Sequence, residues 1–209
     1  MSDVKFIPIN EVLKYGISRY SPFYLLAKEL NLKLLMRYKD KFFYGPPYDL
    51  AEILDTLTKK FKINTLLDLF SGTGALGIVA LKNNADKAVC VDAEEKAMKT
   101  NLQEYKEKAS IITGDILKMK FNDFYDLVIL DPPEELSLKM AEKFPELKTD
   151  LIIMWYGPRQ EKREHEIEKF CKNKFKEILI IELYGLKTIC CSNTKKGKEY
   201  LDFLRKKFL

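Results

Sequence analysis

Four aspartates of this 209-residue chain stand where chemistry is done: Asp68, Asp92, Asp115 and Asp131. Each falls at the end of an apolar, strand-like run. Asp68 lies four residues before the first glycine of Gly72-Thr73-Gly74-Ala75-Leu76-Gly77, a G-x-G-x-x-G turn. Asp92 closes Ala88–Asp92, Asp115 follows Gly114, and Asp131 opens Asp131-Pro132-Pro133 after Asp126-Leu127-Val128-Ile129-Leu130. Glycines in such a turn let a ligand approach the backbone closely, and the helix that starts there offers free N–H groups to an anion. A pyrophosphate would use both features, but Asp68 would lie close to it. Like charges about 4 Å apart repel by roughly 4 kcal/mol at an effective dielectric near 20. The ligand must therefore set a cation beside its anion.

The amino-acid end of S-adenosylmethionine does so, with a carboxylate for the helix N-terminus and an ammonium for Asp68. Asp92 can accept both ribose hydroxyls, a role that serves NAD equally. Asp115 can accept from the adenine amino group, and the N–H of Ile116 can reach a ring nitrogen. The expected cofactor site is thus Asp68, Phe70, Ser71, Gly72, Thr73, Gly74, Asp92, Ala93, Asp115 and Ile116, with Asp131 beside the sulfonium.

These residues need elements to hold them. From residue 63 strand and helix patterns alternate: strand Ile63–Phe70, helix Ala75–Lys82, strand Ala88–Asp92, helix Ala93–Lys106, then strands Ser110–Thr113, Tyr125–Leu130 and Asp150–Tyr156. A charged helix is expected over Arg159–Lys174. Glu177–Tyr184 and Lys187–Ser192 are joined too tightly for a crossover, so they must pair antiparallel. A last helix carries Tyr200, Leu201, Leu204 and Phe208. The fold class is α/β, a doubly wound, mostly parallel seven-stranded sheet closed by an antiparallel hairpin. Ahead of it, Ser21-Pro22 reads as a helix cap, and Phe23, Leu26, Ala27, Leu30 and Leu34 recur at helical spacing. Residues 1–45 are expected to be a helical extension, ending near Phe42-Phe43-Tyr44 and the chain break at Gly45-Pro46-Pro47, with residues 46–209 as the cofactor-binding domain.

Composition excludes several classes. Hydrophobic residues at 46% and charged residues at 32% describe a globular chain, not a disordered or fibrous one. No apolar run reaches the roughly 18 residues that span a bilayer, and the N-terminus lacks a signal layout, so a cytoplasmic protein is expected. Cys90, Cys171, Cys190 and Cys191 form no C-x-x-C, and His165 is the only histidine, which argues against a metal site and for buried thiols. The net charge of +5 hints at an anionic partner. Lys195, Lys196 and Lys198, with Arg205, Lys206 and Lys207, either contact phosphates or form the solvated face of the terminal helix.

Residues 63 to about 192 resemble the class I S-adenosylmethionine-dependent methyltransferases. Within them, "DLFSGTGALGIVAL", "VDAEEKAMKTN" and "YDLVILDPP" look most like the small-subunit ribosomal RNA guanine-N2 methyltransferases. The resemblance implies sheet order 3-2-1-4-5-7-6 and a catalytic loop of Asp131, Pro132, Pro133 and Glu134. In that loop the Asp131 side chain and the Pro132 carbonyl would accept the N–H bonds of an exocyclic base amine, most simply in RNA, and aim its lone pair at the methyl group. The family's aromatic after the second proline is Glu134 here, and a stacking partner could come instead from Phe43, Tyr44, Trp155 or Tyr156. Glu134 and Glu135 also read as acids favoured in a helix's first turn. Cys190-Cys191-Ser192-Asn193 faintly echoes a cysteine nucleophile motif but lies away from the expected loop. The alternatives are transfer to a protein or small-molecule amine, and a non-catalytic cofactor-binding partner of another protein. Oligomeric state is left open by the sequence.

Overall fold

The computed structural model describes residues 4–15, 18–38, 42–44, 48–156 and 161–209. Its elements in chain order are β1 (Val4–Pro8), a 3-10 segment (Ile9–Tyr15), α1 (Pro22–Glu29), β2 (Leu34–Tyr38), β3 (Phe42–Tyr44) and α2 (Tyr48–Lys60). The alternating part follows: β4 (Ile63–Leu69), α3 (Ala75–Lys82), β5 (Ala85–Asp92), α4 (Lys96–Asn101), β6 (Ala109–Thr113), β7 (Phe124–Leu130), α5 (Ser137–Lys143) and β8 (Lys148–Tyr156). The chain closes with α6 (Glu161–Lys174), β9 (Glu177–Leu183), β10 (Leu186–Ser192) and α7 (Lys195–Phe208).

Seven strands form one sheet in the order β6-β5-β4-β7-β8-β10-β9, which is the expected 3-2-1-4-5-7-6. β10 pairs antiparallel with both β8 and β9, so it alone runs against the rest. β7 is buried after its first residue and β4 from Leu66 onward, as strands covered on both faces must be. Strand order reverses between them, so a crevice opens at their carboxyl ends. Alternation sorts the side chains. Leu66, Ile129, Ile153 and Cys190 face one side, under α2, α3 and α7, while Leu67, Leu130, Met154 and Cys191 face α5 and α6. The β9–β10 turn is Tyr184-Gly185, with φ of 57° and 74°, the left-handed pair of a type I′ hairpin.

The first 45 residues correct the helical expectation. Among the described residues only α1 is a full helix there, capped by Ser21 as expected, with its hydroxyl accepting from the Tyr24 N–H at 3.1 Å. β1, β2 and β3 form a three-stranded antiparallel sheet instead. Leu34 follows Leu30 at helical spacing, but Asn31 adopts φ 56° and turns the chain, and Asn is one of the few residues that enter that region at low cost. Leu34 therefore begins a strand, in which Leu35 and Met36 are buried. Ile7, Val12, Ala27, Leu30 and Leu35 join the same apolar cluster as α2 and α3. The helix expected over Ala93–Lys106 is cut to Lys96–Asn101 plus a 3-10 turn at Gln103–Tyr105. Gly45-Pro46-Pro47 and the expected start of the charged helix at Arg159 lie outside the described residues. Among the described residues no helix is long and apolar enough to cross a membrane.

One side chain joins the extension to the glycine turn. Asn101, the last residue of α4, accepts from the backbone N–H groups of Lys33 and Leu34 at 2.7 and 2.9 Å. It donates to the carbonyls of Leu34 and Thr73, both at 2.9 Å. Asn101→Ala should strand four backbone groups, and denaturant melts should show a loss of about 2–4 kcal/mol. A change within experimental error would mean that the extension docks by its apolar contacts alone.

Candidate active site

The glycine turn is built around Asp68. Its side chain is fully buried, and Oδ2 accepts from the Ser71 hydroxyl at 2.6 Å and the Gly77 N–H at 3.2 Å. Oδ1 has no hydrogen-bond partner among the described residues. Burial pushes the carboxyl up to about 7, helped by the Asp92 charge and opposed by the bonds from Ser71 and Gly77. A buried carboxylate oxygen facing no donor is what an ammonium requires, so the residues present fit the amino-acid end of S-adenosylmethionine.

The backbone of the turn is constrained to match. Phe70, a residue with a side chain, is held at φ 61°, and Gly72 and Gly74 follow at 54° and 78°. Strain of that kind at a non-glycine persists only where the surroundings enforce it. Here the Ser71 N–H donates to the Val91 carbonyl at 3.0 Å, and Gly74 N–H to the Ser71 carbonyl at 2.8 Å. Gly77 has no room for a side chain, because a Cβ would lie 2.6 Å from Cys90 Sγ. That closeness brings α3 down onto β5 and its third-glycine N–H onto Asp68.

Asp92 stands where expected, at the end of β5. In this structure Oδ2 accepts from the Gly72 N–H at 2.8 Å and Oδ1 from the Glu94 N–H at 3.0 Å, so it ties the turn to its strand. Thr73 is buried and Ala93 exposed beside them. Asp115 is exposed, caps its own turn through the Leu117 N–H at 3.1 Å, and pairs with Lys118 at 3.1 Å, which holds its carboxyl below the usual range. Ile116 is buried next to it.

Asp131 follows β7 directly and is half-buried. The register sets Leu130 beside Met154 and Trp155 beside Thr188, so Asp131, Trp155 and Thr188 stand level on one face of the carboxyl edge. Asp68 lies on the same face, deeper in the sheet. Burial pushes the Asp131 carboxyl up to about 7, with the charges of Asp49 and then Asp68 adding to it. Glu134 opens a 3-10 turn ahead of α5, and Arg163 of α6 donates to its carbonyl at 2.7 Å and lies 3.9 Å from its carboxylate. Of the four aromatic candidates, Tyr156 is a core residue on the opposite face, bonded through its hydroxyl to Glu168 at 3.1 Å. Trp155 faces the site. Phe43 and Tyr44 lie in β3.

The remaining candidates sit elsewhere. All four cysteines are buried, and burial pushes the Cys190 thiol up to about 12, which removes it as a nucleophile. Lys196 bonds Asp126 at 2.6 Å near the start of β7, at the sheet's opposite edge. Lys198 and Arg205 pair with Asp202 and Glu177. Asp49, the second residue of α2, was not legible as a site residue, because an acid in a helix's first turn has a sufficient local reason to be there. Yet it is 1% exposed, and its charge acts on Asp131.

Sheet order, switch point and acid-lined carboxyl edge define a fold of the S-adenosylmethionine-dependent methyltransferase class. A family model described as Conserved hypothetical protein 95 matches residues 51–182, and the chain belongs to that family. It is 34% identical over 87 residues to the ribosomal RNA small subunit methyltransferase D of Buchnera aphidicola, covering 38% of this chain and 44% of that one. It is 30% identical over 132 residues to the ribosomal protein L11 methyltransferase of Dictyoglomus turgidum, covering 61% and 44%. The chain thus spans less than half the length of either relative. A solved S-adenosylmethionine-dependent O-methyltransferase from Thermotoga maritima superposes with a TM-score of 0.60 over 89% of this chain and 71% of that one, at 16% identity, which establishes the fold alone.

The two raised carboxyls predict a pH signature. In the unfolded chain Asp titrates near 3.9, about three units below Asp68 and Asp131 in the fold. Between those values the folded protein holds protons that the unfolded chain has lost, so stability should fall as pH rises from about 4 to 7 and then level off. Asp68→Asn should flatten part of that fall and be at least as stable as wild type at pH 8, as melts across the range would show. A variant that is less stable at pH 8 and keeps the full slope would contradict a desolvated Asp68.

Proposed function

We propose that this chain is an S-adenosylmethionine-dependent N-methyltransferase whose acceptor is an exocyclic base amine in RNA. The observation that carries the reading is the placement of Asp68 and Asp131 on one face of adjacent strands at the switch point, with a free Asp68 oxygen beneath the glycine turn. When bound, the cofactor supplies a methyl group on a positively charged sulfur. Asp68 holds its ammonium, the glycine turn and the start of α3 its carboxylate, and Asp92 its ribose, the hydroxyls competing for oxygens that Gly72 and Glu94 occupy in this structure. Ile116 and Asp115 border the adenine.

Asp131 does the orienting. An exocyclic amine is a weak nucleophile because its lone pair is delocalised into the ring. Acceptors on its N–H bonds turn that lone pair toward the methyl carbon, and such alignment provides much of the rate. The carboxylate of Asp131 and the carbonyl of Pro132 are those acceptors, and the fixed φ of Pro132 and Pro133 stiffens the loop that presents them. With a carboxyl titrating at about 7, Asp131 also suits the role of receiving the proton that the amine loses. Trp155, on the same face, supplies an aromatic surface where Glu134 does not. A protein amine is the second reading, favoured by the likeness to a ribosomal protein methyltransferase and by an acid at position 134.

Labelled methyl transfer to RNA, DNA and protein fractions of cells lacking the gene separates the readings, and label is expected in RNA. Asp131→Ala should leave cofactor affinity within a few fold and cut turnover by about 10²–10⁴, the scale for removing a positioned acid–base group. Transfer at the native rate by that variant would end the proposal.

A further inference from the structure

Asp49 is a buried acid with no structural task that uses both of its oxygens. Oδ2 accepts from the Thr188 hydroxyl at 3.2 Å, and the backbone N–H groups of Asp49 and Leu50 act on the carboxyl from the start of α2. Oδ1 is buried and has no partner among the described residues. Burial raises the carboxyl's pKa, and the Thr188 hydroxyl and the neighbouring backbone N–H groups oppose that rise.

Its place in the sheet decides which substrate it meets. Strands lie about 4.8 Å apart, so Thr188 on β10 is roughly 10 Å from the β7 line and roughly 14 Å from β4. The methyl-transfer position at Asp131 therefore lies between the ammonium site at Asp68 and the carboxylate at Asp49. Asp49 acts on Asp131 electrostatically, whereas Asp92 is the charge that acts on Asp68. Asp49 belongs to the acceptor side. Trp155 stands level with Thr188 on the strand between, and its indole Nε1 is a second buried atom without a partner among the described residues. An unused acceptor and an unused donor thus flank Asp131 on the side away from the cofactor.

Base edges differ in what they set beside the amine. Guanine places a ring N–H next to its amino group and a carbonyl beyond it. Adenine and cytosine place a lone pair next to theirs, which a carboxylate repels. We propose that Asp49 is a recognition residue of the acceptor pocket: its free oxygen takes the ring N–H beside the amine held by Asp131, and the Trp155 N–H faces the carbonyl beyond. The assignment rests on the RNA reading above.

The test uses the full chain and the RNA fragment located by methyl labelling, synthesised with guanine or 2-aminopurine at the labelled position. 2-Aminopurine keeps the amine and replaces the ring N–H by a lone pair. Asp49→Asn is isosteric and keeps an oxygen for Thr188, but its amide donates where the carboxylate accepts. Cofactor affinity by calorimetry should be unchanged. Transfer efficiency on the guanine fragment should fall ~10–100-fold, the scale of one good base-edge contact, mostly through KM. The wild-type preference for guanine over 2-aminopurine should narrow in the variant. Thr188→Val, which frees Asp49 without removing it, should give a smaller loss of the same kind and covers the case in which Asp49→Asn does not fold. Normal transfer and preference in both variants, cofactor affinity lost in step with transfer, or label on adenine or cytosine would each overturn the inference. Wild-type protein that binds the cofactor and labels no RNA would overturn the RNA reading and this assignment together; RNA labelled equally well by the variants would overturn this assignment alone.

Discussion

A carboxylate taken out of water with one oxygen unpaired destabilises any fold that contains it, and Asp68 is such a group. The residues around it make sense as the means of holding it there. Ser71 and the Gly77 N–H satisfy one oxygen. Gly77 must lack a side chain for α3 to come down against Cys90 and deliver that N–H, and Phe70 must accept a left-handed backbone for Ser71 to turn back over the strand end. Strain and desolvation are concentrated in one turn, and on the proposed reading a zwitterionic ligand would relieve both the buried charge and the start of α3, which has no side-chain cap.

From that turn the constraint spreads outward through single side chains. Asp92 fixes the middle of the turn to β5, and Asn101 fixes its far side to β2 of the N-terminal sheet. The N-terminal sheet is therefore bonded to the residues expected around the cofactor. At the other end of the crevice Asp49 and Thr188 link α2 to β10. The result is a site rich in carboxylates within a chain of net charge +5. Part of the compensating positive charge is structural, since Lys196, Lys198 and Arg205 neutralise acids at the opposite edge of the sheet or on α7.

The sheet was legible because its signals are redundant. Apolar runs end in acids, the glycine turn separates strand from helix, and the tight Tyr184-Gly185 joint forces an antiparallel pair. Asp68 and Asp131 could be placed on the carboxyl edge from spacing alone. The N-terminal sheet was not legible, because Leu30 and Leu34 mimic a helical stripe and a single left-handed Asn31 changes the element. Asp49, Thr188 and Asn101 escaped for another reason. Their partners lie 139 residues away for the Asp49–Thr188 pair and 67 residues away for Asn101 and Leu34. A first-turn acid, a strand threonine and a helix-end asparagine each have an adequate local explanation. Glu134 marks the opposite failure, a visible departure from a family pattern whose local setting, a 3-10 turn held by Arg163, leaves its chemistry undecided by sequence.

The central claim is that the free Asp68 oxygen and the glycine turn together receive a zwitterion and not a pyrophosphate. Calorimetric titration of the wild-type protein with S-adenosylmethionine, S-adenosylhomocysteine and NAD tests it most directly. The account predicts saturable binding of both sulfur ligands, with affinity rising as pH increases toward 7 and Asp68 sheds its proton to meet the ammonium, and no comparable binding of NAD. Tight NAD binding with no response to either sulfur ligand would contradict it.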